Sequence, residues 1–197
     1  VEDSREGWVD ALRELLETAW SKKTNLSGYI EIDVSKVRAR GLPLKTSGGI
    51  ACGPGPLVQM LTDVATVINR IVEAGGELTS DEAMNIDHAM AACVVAGGKR
   101  RSSRMSVKNW KDEDIFKFLR CKSTDGVNWT TNISVEVDDE YIEAHNDPTH
   151  VNHQIAVGVH NAVVAGKRLN GEPGLWNRSL SMKGEREPEL IFCPNPC

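Results

Sequence analysis

The sequence predicts an α/β fold with a mostly parallel sheet, and three observations carry that expectation. Segments with apolar residues at helical spacing alternate with short runs rich in β-formers. Glycine-rich turns separate them, as at 48–55 and 97–98. Composition is that of an ordinary globular protein, 40% hydrophobic and 26% charged over 197 residues, enough for one domain with a real core. The net charge of −5 argues against a general nucleic-acid or membrane-surface binder, which would carry a basic excess. No apolar run approaches the ~18 residues of a membrane span.

Asp3 and Ser4 can cap a first helix, with Glu6 in its first turn and Trp8, Leu12, Leu15, Leu16 and Ala19 along one face. Residues 29–34 alternate weakly and are expected as a strand. Residues 35–56, with eight glycines and prolines, form a loop long enough to imply a task. Residues 57–74 are an amphipathic helix ended by Gly75 and Gly76, and Thr79 with Glu82 restarts a helix to about 96. After the glycine-led loop 97–103 come a short strand at 105–107, a helix at 112–120 and a strand at 132–137. Asp138 and Asp139 then cap a helix reaching 144. A helix is favoured after Pro148, and short strands are expected at 174–180 and 190–193.

Five cysteines, odd in number and scattered, suit a reducing cytoplasm better than a secreted disulfide framework. The charged start carries no signal peptide, and both ends read as cut, so a piece of a larger protein is expected.

Three stretches could carry chemistry. In Phe192-Cys-Pro-Asn-Pro-Cys197 the prolines exclude helix and stiffen an extended tip that presents Cys197. An isolated cysteine is more often a small buried hydrophobe, but a proline-braced one is placed for reactivity. Residues 36–45 hold four cations, Lys36, Arg38, Arg40 and Lys45, which is either a solvated loop or a phosphate site. Arg38 is the best phosphate candidate, because guanidinium can grip phosphate bidentately. Gly97 and Gly98 lead into Lys99, Arg100 and Arg101, where backbone can approach a ligand closely. Gly48 and Gly49 offer backbone-donor turns, weak evidence for phosphate when taken alone. His145, His150, His153 and His160 include an i, i+3 pair but match no metal-ligand spacing, so no metal is expected. Trp110, Trp129 and Trp176 are expected as core or cavity wall.

Taken together and in order, Ser47-Gly-Gly-Ile-Ala-Cys-Gly-Pro-Gly-Pro-Leu57, Val94-Val-Ala-Gly-Gly-Lys-Arg-Arg-Ser102, Asn170-Gly-Glu-Pro-Gly174 and Asn195-Pro-Cys197 resemble the catalytic barrel of ribonucleotide reductases. The chain most resembles the adenosylcobalamin-dependent (class II) ribonucleoside-triphosphate reductases, from Asp3 to Cys197. The resemblance implies part of a ten-stranded α/β barrel ending in the finger loop. It treats 1–197 as one partial catalytic domain, with the effector-site helix and loops at 1–104 and the barrel continuation and finger loop at 105–197. It implies radical reduction of ribonucleoside triphosphates to 2′-deoxyribonucleotides, with adenosylcobalamin as cofactor and thioredoxin or a similar dithiol as reductant. Deoxynucleotide effectors would set substrate choice.

By the same resemblance Cys197 becomes the thiyl radical that takes the ribose 3′ hydrogen, and Asn195 orients the substrate. Arg100 reaches substrate, with Gly48 and Gly49 beside it. Asp3, Ser4, Lys36, Arg38, Arg40, Lys99 and Arg101 belong to the effector site. The family's glutamate two residues after the radical cysteine, and its redox cysteine pair, fall outside 1–197. Ile50-Ala-Cys52 stands where relatives often have Thr-Ala-Ser. Two alternatives stay open: a reductase using another radical initiator, and a nucleotide-binding regulatory module without catalysis. A chain stopping at Cys197 also raises the expectation of an intein flank, against a plain sequence boundary.

Overall fold

The computed structural model describes residues 1–20, 30–44, 49–96, 102, 104–124, 127–187, 189 and 191–194. Its contacts divide the chain into two compact units, Val1–Ser102 and Ser103–Cys197.

The first unit is helical. Helix α1 (Arg5–Trp20) begins where Ser4 Oγ accepts the Gly7 N–H at 2.9 Å, satisfying one of the free donors of a helix start. Helix α2 (Gly55–Glu73) has Pro56 in its first turn, where the missing N–H costs nothing. It ends at Gly75, whose φ of 62° lets Gly76 donate back to Ile71. Helix α3 (Ser80–Ala96) starts with the reciprocal cap foreseen at Thr79 and Glu82, the Thr79 N–H donating to Glu82 Oε2 at 2.8 Å. Helix α2 packs against both α1 and α3. Its apolar stripe (Leu57, Met60, Leu61, Val64, Val67, Ile68, Ile71) is buried with Leu15, Val37, Ile86, Ala89 and Cys93 in one core.

Among the described residues the second unit holds a three-stranded, open parallel sheet in the order β1-β2-β3. The strands are β1 (Arg104–Asn109), β2 (Thr131–Val137) and β3 (Gly174–Asn177), with Arg104 opposite Thr131 and Ser134 opposite Gly174. Between and after them run α4 (Ile115–Leu119), α5 (Asp139–Asn146), α6 (His153–Asn170) and α7 (Arg178–Met182). Ile133, Val135 and Val137 are buried, as are Trp110, Ile115, Phe118, Tyr141, Ala144, Ala156, Val159 and Val163. Asp138 caps α5 by accepting the Tyr141 N–H at 2.8 Å, and the same oxygen accepts Trp110 Nε1. The α/β class is therefore as expected, while the structure shows an open sheet of three strands.

Several local expectations are corrected. Residues 30–34 make no ladder, because their carbonyls serve a turn: Asp33 O accepts the Val1 ammonium at 2.6 Å and Val34 O accepts the Val37 N–H. The expected strand at 174–180 stops at Asn177, whose side chain caps α7 by accepting the Leu180 N–H. Residues 191–194 form no strand, and Pro194 has no N–H to give to one. The helix foreseen at 112–120 shortens to 115–119, with Asp114 as its N-cap. Trp110 and Trp176 are buried but Trp129 is 53% exposed, so it is not core. No helix among the described residues is long and apolar enough to cross a membrane.

Candidate functional site

The long loop between α1 and α2 is pinned by its own backbone. Gly41 N–H donates to Ala51 O, Ala51 N–H to Leu42 O and Leu44 N–H to Gly49 O, around an antiparallel bridge between Pro43 and Ile50. Gly53 sits at φ 76°, and a Cβ there would lie 3.0 Å from the Arg40 backbone nitrogen. Only glycine fits so close a return at that angle. The backbone hydrogen bonds thus fold residues 41–44 back on 49–51, directly after the segment that carries Lys36, Arg38 and Arg40.

Two of the residues expected at an effector site, Asp3 and Arg38, meet here. Arg38 Nε donates to Asp3 Oδ2 at 2.6 Å, and Nη1 reaches the Pro43 carbonyl at 3.4 Å. Both side chains of that pair are about two-thirds covered, 28% and 31% exposed. Lys36 pairs with Glu2 at 2.5 Å in the open, 63% and 67% exposed. The hydrogen bond and charge of Lys36 hold the Glu2 carboxyl below its usual range, and Glu2 in turn raises Lys36. Ser4, next to Asp3, is spent on capping α1. Arg40 is exposed at the neck of the hairpin. The site therefore lies where the start of α1 meets the 36–43 arm, and it joins residues 35 apart in sequence.

Of the other predicted site residues, Gly49 is in the hairpin, its carbonyl accepting from Leu44. Gly48, Lys99, Arg100, Arg101, Asn195 and Cys197 lie outside the described residues. Cys52, half-buried, donates weakly to the Gly53 carbonyl at 3.4 Å. Cys93 is buried on α3, and burial, with a smaller contribution from Cys52, pushes its thiol up to about 11.

Sequence reasoning missed Glu2 as the partner of Lys36. It also missed a polar cluster at the carboxyl ends of the strands, where Glu136 Oε1 accepts from Asn109 Nδ2 at 3.3 Å and Arg178 Nη1 at 3.2 Å. Contacts spanning 27 and 42 residues leave no spacing signal. The acid of Asn170-Gly-Glu-Pro-Gly174 has a structural partner: Lys122 Nζ joins Glu172 at 2.5 Å and the Thr131 carbonyl at 2.7 Å. The histidines also have structural partners. His153 Nδ1 lies 2.8 Å from the Ala144 carbonyl, His150 Nδ1 accepts the Asn152 N–H, and the His145 and His160 rings sit 4.7 Å apart. Among the described residues no three His, Cys, Asp or Glu side chains are grouped to hold a metal ion.

Comparison with known proteins shows what the chain is similar to. The model of the family described as "B12-dependent ribonucleotide reductase, insertion domain" matches residues 1–68, the stretch carrying α1 and the hairpin. An insertion domain is a feature the sequence alone did not single out. A Mycobacterium phage D29 protein, named provisionally as an adenosylcobalamin-dependent ribonucleoside-triphosphate reductase, is 46% identical over 100% of this chain and 30% of its own length. The adenosylcobalamin-dependent ribonucleoside-triphosphate reductase of Lactobacillus delbrueckii subsp. bulgaricus is 33% identical over 91% of this chain and 22% of its own. That of Lacticaseibacillus paracasei is 30% identical over 99% and 25%. The chain thus spans less than a third of the length of these relatives. Over 91–100% of its length it is similar to one segment of proteins named as adenosylcobalamin-dependent ribonucleoside-triphosphate reductases.

Proposed function

We propose that this chain is part of a reductase that converts ribonucleoside triphosphates to 2′-deoxyribonucleotides by radical chemistry, under control of a deoxynucleotide effector. The observation that carries the reading is the 46% identity running across all of the chain, hairpin and Asn195-Pro-Cys197 tip included. Its second unit supplies part of the α/β barrel that ends in the finger loop. Its first unit supplies effector contacts from Asp3, Ser4, Lys36, Arg38 and Arg40, with Lys99 and Arg101 beside them. Substrate meets Arg100, Gly48 and Gly49. Adenosylcobalamin is assigned to the whole reductase from its relatives' names.

What the chain's own residues do follows from their chemistry. Cys197, once it carries the radical on sulfur, removes the ribose 3′ hydrogen: an S–H bond forms as the C–H bond breaks, and the unpaired electron passes to the sugar. The two bonds are similar in strength, so the transfer is reversible. Asn195 can donate to one ribose hydroxyl and accept from another, holding that hydrogen against the sulfur. Misplacement by about 1 Å can cost on the order of 100-fold in rate. Electrons come from thioredoxin or a similar dithiol.

The test uses the full-length protein with cofactor, dithiol and a ribonucleoside triphosphate. Cys197→Ser should abolish deoxynucleotide formation while effector binding persists. Arg38→Ala should weaken effector binding by roughly 10-fold or more, the loss of a charge-assisted phosphate contact. Arg100→Ala should blunt the effect of effector identity on substrate choice. Steady turnover by the Cys197→Ser protein would refute the reading.

A further inference from the structure

At the amino ends of the three parallel strands one lysine joins two segments far apart in sequence. Lys122 Nζ pairs with Glu172 Oε2 at 2.5 Å, in the turn that enters β3, and donates at 2.7 Å to the carbonyl of Thr131, the first residue of β2. Its own carbonyl accepts Asn170 Nδ2 at 3.1 Å, and Asn170 Oδ1 accepts the Glu172 N–H. Pro173 is fully buried, and Gly174 lies close against Ser134 of β2. The same strand ends hold a second anchor. Arg104, the first residue of β1, follows residues 97–103 in the chain and donates from Nη2 to Thr130 Oγ1 at 2.7 Å. The Ser106 and Thr131 hydroxyls share a hydrogen bond at 3.0 Å, and Thr130 and Thr131 are both buried. We infer that Lys122 is a positioning residue: paired with Glu172, it fixes the start of β2 and the 170–174 turn as one platform, to which Arg104 anchors the segment bearing Arg100. The inference rests on the substrate role given to Arg100 above and goes beyond it, because it assigns Glu172 to support rather than to acid–base chemistry.

The reason lies in what such a pair contributes. Lys122 and Glu172 are 16% and 20% exposed, so both charges leave most of their water. Their attraction does little more than offset that desolvation, and apolar groups of similar size would hold the fold at least as well. A short turn between a helix and a strand needs no such brace to form. What the pair supplies is direction. An ammonium with a carboxylate and a carbonyl both in reach sets the distance between the two segments that carry them. A substrate contact made from a supported segment weakens when the support loosens, since a displacement of about 1 Å is enough to matter.

The test uses the full-length protein with adenosylcobalamin, a dithiol and a ribonucleoside triphosphate. Lys122→Met combined with Glu172→Leu removes both charges together. This double variant should melt in urea at or above the wild-type midpoint and bind a deoxynucleotide as the wild type does. Its substrate KM should nevertheless rise about tenfold with kcat changed less than about twofold, the pattern of a lost binding contact. Glu172→Gln, which still offers Lys122 an acceptor, should keep KM within about twofold of the wild type. A folded double variant with wild-type KM overturns the inference. So does one that fails to fold, or that loses activity only in step with stability, since the brace is then structural. A fall in kcat of about 100-fold in Glu172→Gln with KM unchanged would put Glu172 in the chemistry and overturn it as well. Absence of deoxynucleotide formation by the wild type would instead bring down the reductase reading, and the inference with it.

Discussion

At the scale of single residues, the cysteines separate by environment. Cys193 is exposed, whereas Cys93 is 6% exposed in the α2–α3 core with its thiol pushed up to about 11. The thiolate is the reacting species, so iodoacetamide at pH 8 should modify Cys193 readily and leave Cys93 unmodified until the protein unfolds. Peptide mass spectrometry reads this directly, and early labelling of Cys93 would contradict its burial. The same shift has a pH consequence. The folded state holds the Cys93 proton above the thiol's ordinary value of 9.0, so its contribution to stability is complete below about 9 and is lost as pH rises toward 11. Denaturant melts between pH 8 and 11 should show wild-type stability falling, with a shallower fall in Cys93→Ala. Identical slopes would place the alkaline loss elsewhere.

At the scale of elements, two glycines are required by close packing and differ in what meets them. A Cβ on Gly166, in α6, would lie 2.5 Å from the Glu172 carbonyl oxygen, a backbone atom that cannot rotate away. One on Gly174, in β3, would lie 2.6 Å from Ser134 Oγ but 3.6 Å from Ser134 Cβ, and a hydroxyl can change rotamer. Alanine would otherwise favour α6 by roughly 0.5–1 kcal/mol, yet Gly166→Ala is expected to destabilise by about 1–3 kcal/mol because the clash wins. Gly174→Ala should cost less, and adding Ser134→Ala should recover most of that loss. Adding Ser134→Ala to Gly166→Ala should recover nothing. Urea melts of these variants form a double-mutant cycle, and simple additivity at Gly174 and Ser134 would refute the contact.

At the scale of the whole molecule, the first unit carries its own core. Every buried residue of the α1–α2–α3 cluster, from Leu15 to Cys93, lies within Val1–Ser102. A unit with a closed core is a candidate for independent folding. Residues 1–102 expressed alone should show helical circular dichroism and a cooperative thermal transition; a gradual, featureless melt would mean that its helices need the rest of the chain. Reductase turnover is expected only from the full-length protein, because 1–197 matches less than a third of its relatives.

Local chemistry sufficed for part of this architecture. The i, i+3, i+4 apolar stripe of α2 was legible because burying one face of a helix demands that period, and the caps at Ser4, Thr79 and Asp138 were legible because a helix start needs nearby acceptors. Strand β2 stood out by alternation, and the cation cluster at 36–45 by charge alone. Strand identity at 30–34 and 178–180 was not legible, since a β-run becomes a strand only when a partner takes its backbone groups. At Asp33 and Val34 the amino terminus and a turn took them instead, and the Leu180 N–H went to the capping side chain of Asn177. Charge pairing was beyond the sequence for the same reason. Arg38 could be named as a phosphate candidate from its surroundings in the chain, but that it holds Asp3 depends on residues 33–38 lying against the start of the chain. Contacts made across 35 residues are set by packing, and packing is what the tertiary structure decides.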